Sequence, residues 1–121
     1  MKADNMMNQI TDATVWNAVC AIEDILPNTG ICALVKNRHV AVFHVSSDPE
    51  QLFAIDNFDP NSGASVLSRG LVGNLGQRIV VASPIYKHHF DLQSGECLEA
   101  PENSVCAYPV RIENRQVQVA M

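Results

Sequence analysis

Few residues in this chain are of the types that do chemistry. Two of the four histidines and one of the four cysteines lie in the stretch SPIYKHHFDLQSGECL, residues 83–98, where His88 and His89 stand next to each other ahead of Cys97. Imidazole and thiol are metal ligands, but adjacent residues of a strand point to opposite faces, so the two histidines do not converge on one ion. A zinc site needs three or four converging ligands, and His39 and His44 belong to a different strand pair. The pair reads as surface or rim histidines. Ser83 precedes a proline and has no GxSxG elbow to make it a nucleophile. Asp56 and Asp59 share one loop and Glu99 and Glu102 another, with no nucleophile or base beside them, so they read as solvated carboxylates. GLVGNLG at 70–76 lacks the Lys-Ser/Thr and the βαβ setting of a phosphate cradle. The residues alone therefore describe a β domain with two prominent loops and no visible active site.

The elements around those loops follow from patterning. The chain has 121 residues, 47% apolar and 17% charged, which suits one globular domain. Its formal net charge is −5 and its eight basic residues are scattered, so it offers no stripe of cations for nucleic acid. The first dozen residues are polar and without period, and a loose tail is expected at 1–12 before a domain at 13–121. They do not form a signal peptide, and no apolar run approaches the roughly 20 residues that span a bilayer. A cytoplasmic protein is expected, and with it four buried thiols rather than disulfides at Cys20, Cys32, Cys97 and Cys106.

Short strands are predicted at 15–20, 31–35, 39–45, 51–55, 78–82, 105–112 and 117–121, with a hairpin over HFDLQSGECL turning at Ser94-Gly95. The turns fall at PNTG, KNR and ENR. In the 39–45 strand Val40, Val42 and His44 share one face while Ala41, Phe43 and Val45 share the other. Short helical turns fit inside 22–26 or 65–71. Residues 56–77 read as one long loop without strands of its own, a length that tends to be functional. An all-β antiparallel sandwich or small barrel with two long loops is expected.

Read together, AIDNFDPNSGASVLSRG (54–70) and SPIYKHHFDLQSGECLEAP (83–101) resemble the two cluster-binding boxes of Rieske [2Fe–2S] domains. In that family the first box is C-x-H-x-G-A followed by Leu and Gly, and the second is C-P-x-H-G followed by F-D, a glycine turn and a proline. The scaffold residues are here as Gly63-Ala64, Leu67, Gly70, Pro84, Phe90-Asp91, Gly95 and Pro101. The ligands are not. The resemblance puts Asp59 and Asn61 at the first Cys and His, Ser83 and Tyr86 at the second pair, and Lys87 at the following glycine. A Rieske cluster takes two thiolates and two neutral imidazoles, so no cofactor or metal is expected on this chain. With DILPNTG, VLSRG and VASPIYKHHFDL, the chain from about Val15 to Met121 resembles the small subunits of NADH-dependent assimilatory nitrite reductases.

That resemblance implies a cytoplasmic large subunit as partner, carrying FAD, sirohaem and an iron–sulfur cluster and reducing nitrite to ammonium. It implies no nucleic acid and no membrane. The chain would contribute through contacts alone, and the loop tips, Asp59 to Ser62 and Ile85 to His89, would form part of the docking face. Asn61, Ser62, Ile85, Tyr86, Lys87 and His88 are the candidate contacts. Two other readings share the fold: a Rieske-type ferredoxin feeding an oxygenase, which the missing ligands oppose, and a stand-alone binding module.

Overall fold

The computed structural model describes residues 14–46 and 50–121. The tail expected at 1–12 lies outside them, as do Ser47, Asp48 and Pro49 of the SSDPE loop. Strands β1 (Trp16–Ala21), β2 (Thr29–Val35), β3 (Arg38–Val45) and β4 (Gln51–Asp56) open the chain. The short pair β5 (Phe58–Asp59) and β6 (Ala64–Ser65) follows, then β7 (Leu71–Leu75), β8 (Arg78–Ala82) and β9 (His89–Asp91). The chain closes with β10 (Ala107–Tyr108), β11 (Val110–Glu113) and β12 (Gln116–Ala120). All pairings among these strands are antiparallel, in sheets ordered β1-β12-β11, β10-β4-β3-β2, β5-β6 and β7-β8-β9. The all-β expectation holds.

The tight turns are where the sequence placed them. Lys36-Asn37 and Asn114-Arg115 each put two residues at positive φ between paired strands, the conformation that two-residue hairpins require. The helical turns at 22–24 and 67–69 are both 3-10. Three expectations need correction. Residues 56–77 are not one bare loop: they hold β5, β6, a 3-10 turn and β7. Strand β7 escaped notice because Gly73 and Asn74 dilute its β-propensity, and its apolar Leu71 and Leu75 face outward. The 105–112 strand is broken, with β10 on one sheet and β11 on another, because Pro109 has no N–H to offer a ladder. The thiols are free but not all buried: Cys97 is, Cys20 is half-buried, and Cys32 and Cys106 are exposed.

Strand β3 organises the interior, and its two faces serve two cores. Val40 and Val42 pack with Ile25, Ala54, Tyr108, Val117 and Val119, between the β10-β4-β3-β2 and β1-β12-β11 sheets. Ala41, Phe43 and Val45 pack the other way, with Leu67, Val81, Phe90, Leu92 and Cys97, under the loop-bearing sheet β7-β8-β9. Period-2 alternation in one strand thus ties the body of the domain to the platform that carries both long loops.

His44, the last member of the first face, is buried at 6% exposure. Its Nδ1 donates to the Ile25 carbonyl at 2.9 Å and its Nε2 bonds the Glu50 carboxylate. Both partners are acceptors, an arrangement that favours the doubly protonated ring. Burial opposes the charge, but the carbonyl and carboxylate outweigh it and raise the His44 pKa above 6.5. A raised pKa stabilises the fold fully below the unfolded value and loses that contribution as pH rises through the folded one. Stability is therefore expected to decline above about pH 6.5. Urea midpoints from pH 5.5 to 9 should show a shallower decline in Glu50→Gln; parallel curves for the two proteins would remove Glu50 as the source.

Candidate functional site

The two loops meet at the end of the β7-β8-β9 platform. In the first, Asp59 has its side chain turned inward, and residues 59–63 wind around it. The Asp59 carbonyl accepts from the amides of Ser62 (3.3 Å) and Gly63 (2.8 Å). Its Oδ1 accepts from the Asn61 amide at 2.9 Å and its Oδ2 from the Ser62 hydroxyl at 3.1 Å. Gly63, at φ +74°, reverses the chain into β6.

In the second loop Ser83 closes the turn: its amide donates to the His88 carbonyl at 2.9 Å, and its Oγ accepts from the Ile85 amide at 3.3 Å. The loops are joined directly by the Ser83 hydroxyl, which donates to Asp59 Oδ2 at 2.6 Å. Asp59 is fully buried and Ser83 is 1% exposed. The reading of Asp59 as a solvated carboxylate is thus wrong: it pays its desolvation with bonds from both loops, and sequence alone could not place Ser83 beside it. Asp56 is not free either; it accepts from Tyr108 (2.5 Å), Arg38 (3.1 Å) and the Cys106 amide (3.1 Å). Burial and that short Asp56 bond push the Tyr108 phenol well above its usual range.

Beneath the loops lie two asparagines, Asn61, expected as a former ligand position and partner contact, and Asn57, which the sequence did not single out. Asn61 donates to Cys97 Sγ at 3.5 Å and accepts from Asn103 at 2.9 Å. Buried Asn57 accepts from the Ser68 amide at 2.7 Å and donates to Cys32 Sγ at 3.4 Å. Asn57 carries no motif, and the partners of both come from segments distant in sequence. The histidines do not act together: His89 pairs with Glu99 through Nδ1 at 2.6 Å, while Nδ1 of His88 is buried with no partner among the described residues. The Glu99 carboxyl is exposed; desolvation opposes its charge, but the His89 bonds hold it below the usual carboxylate range.

At the tip the backbone turns through Tyr86 at φ +62° and Lys87 at φ +59°. Left-handed backbone costs non-glycine residues roughly 1–2 kcal/mol each. Tyr86 is 72% exposed, and Lys87 is exposed beside it. Ile85, His88, Asn61 and Ser62 are half-buried. Of the expected tip residues only Asp59 is absent from the surface.

Four positions can now be compared with what a [2Fe–2S] cluster would need. Asp59 and Ser83 touch at hydrogen-bond distance, with no gap for an iron between them. Asn61 is held by Cys97 and Asn103, and Tyr86 faces solvent. The donors are oxygens and an amide that point in different directions, and they do not fit thiolate and imidazole ligation. No three His, Cys, Asp or Glu converge elsewhere among the described residues.

The scaffold around these positions is that of Rieske-like domains, and the family model described as a Rieske-like [2Fe-2S] domain matches residues 15–120. The Escherichia coli (strain K12) nitrite reductase (NADH) small subunit is 43% identical over 104 residues, 86% of this chain and 95% of that protein. The solution structure of the nitrite reductase [NAD(P)H] small subunit from Erwinia carotovora superposes with a TM-score of 0.74 at 47% identity, covering 88% of this chain and 81% of that one. The chain belongs to the Rieske-like small subunits of NADH-dependent nitrite reductase. A Klebsiella oxytoca nitrite reductase [NAD(P)H] large subunit is also 39% identical over 104 residues, which are 86% of this chain but only 11% of that protein.

Proposed function

We propose that this chain is a non-catalytic subunit of a cytoplasmic enzyme that reduces nitrite to ammonium with NADH, and that it acts by docking on a cofactor-bearing large subunit. The observation that carries this reading is the Klebsiella match, in which a domain like this one is built into a large subunit. Where the two are separate chains, a non-covalent interface has to supply what one polypeptide does there. FAD, sirohaem and an iron–sulfur cluster belong, in this reading, to the partner.

The docking face proposed is the loop tip, with Tyr86 as anchor and Lys87 as its charged neighbour, flanked by Asn61, Ser62, Ile85 and His88. Unlike the two hairpin turns, which each contain an asparagine, the Tyr86-Lys87 tip has two consecutive left-handed residues and neither Asn nor Gly, a backbone cost of the kind that concentrates at functional sites. Exposed aromatics are the residues that most often anchor interfaces.

The test is NADH-dependent nitrite reduction by the matching large subunit with and without the purified chain, alongside its affinity for that subunit. The chain should raise ammonium production. Tyr86→Ala or Lys87→Glu should each weaken association by about 2 kcal/mol, close to 30-fold. Normal affinity in both variants would move the docking face elsewhere, and no effect of the chain on turnover would refute the subunit role.

A further inference from the structure

The bond between Asp59 and Ser83 joins the two positions where the Rieske-like pattern has its cysteines, and it is buried. A cluster ligated from both loops cross-links them, since each ligand bond fixes one loop to a common centre. Here that centre has no fitting donors, yet the loops are still fastened at the same point by a 2.6 Å hydrogen bond. Asp59 in turn collects the Asn61 amide and the Ser62 hydroxyl, and Ser83 collects the Ile85 amide. The bond therefore connects the internal frameworks of both tips. None of the ion pairs among the described residues includes Asp59, so what satisfies it is this network and nothing cationic. An apolar pair would fill such a site at no polar cost, but it would not fix one loop's register against the other's.

We infer that the Asp59–Ser83 hydrogen bond is a positioning clasp, which replaces a metal cluster as the cross-link between the loops and presets the geometry in which Tyr86 and Lys87 meet the large subunit. The inference rests on the docking reading above and deepens it. Neither residue touches the partner in this account; both act through the loops they hold. Losing the clasp releases the tips while leaving both cores packed, so association slows and weakens because the tip must be ordered on binding.

Amide hydrogen exchange on the full chain, read together with affinity for the large subunit, tests this. In Ser83→Ala, exchange at Asn61–Gly63 and Ile85–Lys87 should rise at least tenfold while β1, β3 and β12 keep their protection. Affinity should fall at least tenfold. Ser83→Thr keeps the hydroxyl and should restore both. Asp59→Asn, which leaves one carbonyl oxygen for the three donors Asn61, Ser62 and Ser83 and puts an NH2 group where the other oxygen stood, should repeat the Ser83→Ala pattern. Unchanged loop exchange in Ser83→Ala and Asp59→Asn overturns the clasp, as does exchange that rises equally in β3, which marks general destabilisation. Loosened loops with full affinity overturn the positioning role. If Tyr86→Ala and Lys87→Glu then also bind normally, the docking reading has failed with it; if those two lose affinity, only the clasp has.

Discussion

Phe43→Ala is expected to cost about 3–5 kcal/mol, the range for emptying an aromatic site in a packed core. Against a total stability of about 5–15 kcal/mol, that leaves the domain marginal or unfolded at 37 °C. Phe43 is fully buried at the centre of β3, and its face packs onto Leu67, Val81, Phe90 and Cys97 beneath the loops. The site is made for a ring: a Cβ on the paired Gly30 would lie 2.6 Å from the Phe43 side chain. Neighbours held by two sheets relax poorly into a cavity, which places the cost toward the upper end. Phe43→Leu, closer in volume, should cost less than about 2 kcal/mol. Urea denaturation measures both, and a loss below about 1 kcal/mol for the alanine variant would mean that the core beneath the loops closes around the missing ring.

The second large effect is expected at Gly95. It is buried, at φ +82°, and a Cβ there would sit 2.1 Å from the Val105 carbonyl oxygen. That oxygen belongs to backbone and cannot swing aside; Val105 also donates its own amide to the Gly95 carbonyl at 2.9 Å. Gly95→Ala therefore combines left-handed strain of about 1–2 kcal/mol with overpacking of about 1–3 kcal/mol, for a loss near 3 kcal/mol. Gly63 is the control. Its φ of +74° is as unfavourable, but nothing lies within 4 Å of a Cβ, so Gly63→Ala should cost only the strain, about 1 kcal/mol. Thermal melts of the pair separate the two terms, and equal losses would show that the Val105 contact is relieved cheaply. Because the Gly95 turn closes the hairpin that carries the second loop, Gly95→Ala should also reduce affinity for the large subunit beyond its loss of stability.

Much of the scaffold in the two boxes becomes mechanical once the fold is known. Phe90 is a core ring. Asp91 accepts from the amides of Gln93 (2.7 Å) and Ser94 (3.0 Å) and from Arg78 (2.9 Å), which also bonds Glu96. Gly70 lets the backbone approach Ala82, whose carbonyl would stand 2.3 Å from a Cβ at that position. These scaffold residues stay where cluster ligands are missing because they shape the loops by packing and turn chemistry, which do not depend on a metal.

By itself the sequence determined what local physics decides. Alternation marked β3 as a strand with two apolar faces, and Asn-rich pairs marked the tight turns, because side-chain period and left-handed tolerance are properties of a few neighbouring residues. The resemblance of the two boxes to Rieske loops also implied four substituted ligand positions. Only the tertiary structure decided which faces met. It brought Asp59 from an expected solvated loop into the interior against Ser83, set Asn61 on Cys97, and left Tyr86 at the tip in solvent. These are contacts across 24 residues or more of chain for the two pairs, and nothing in either segment encodes its partner. A buried carboxylate is stable only when distant donors arrive to satisfy it, so its role is settled by the fold that delivers them.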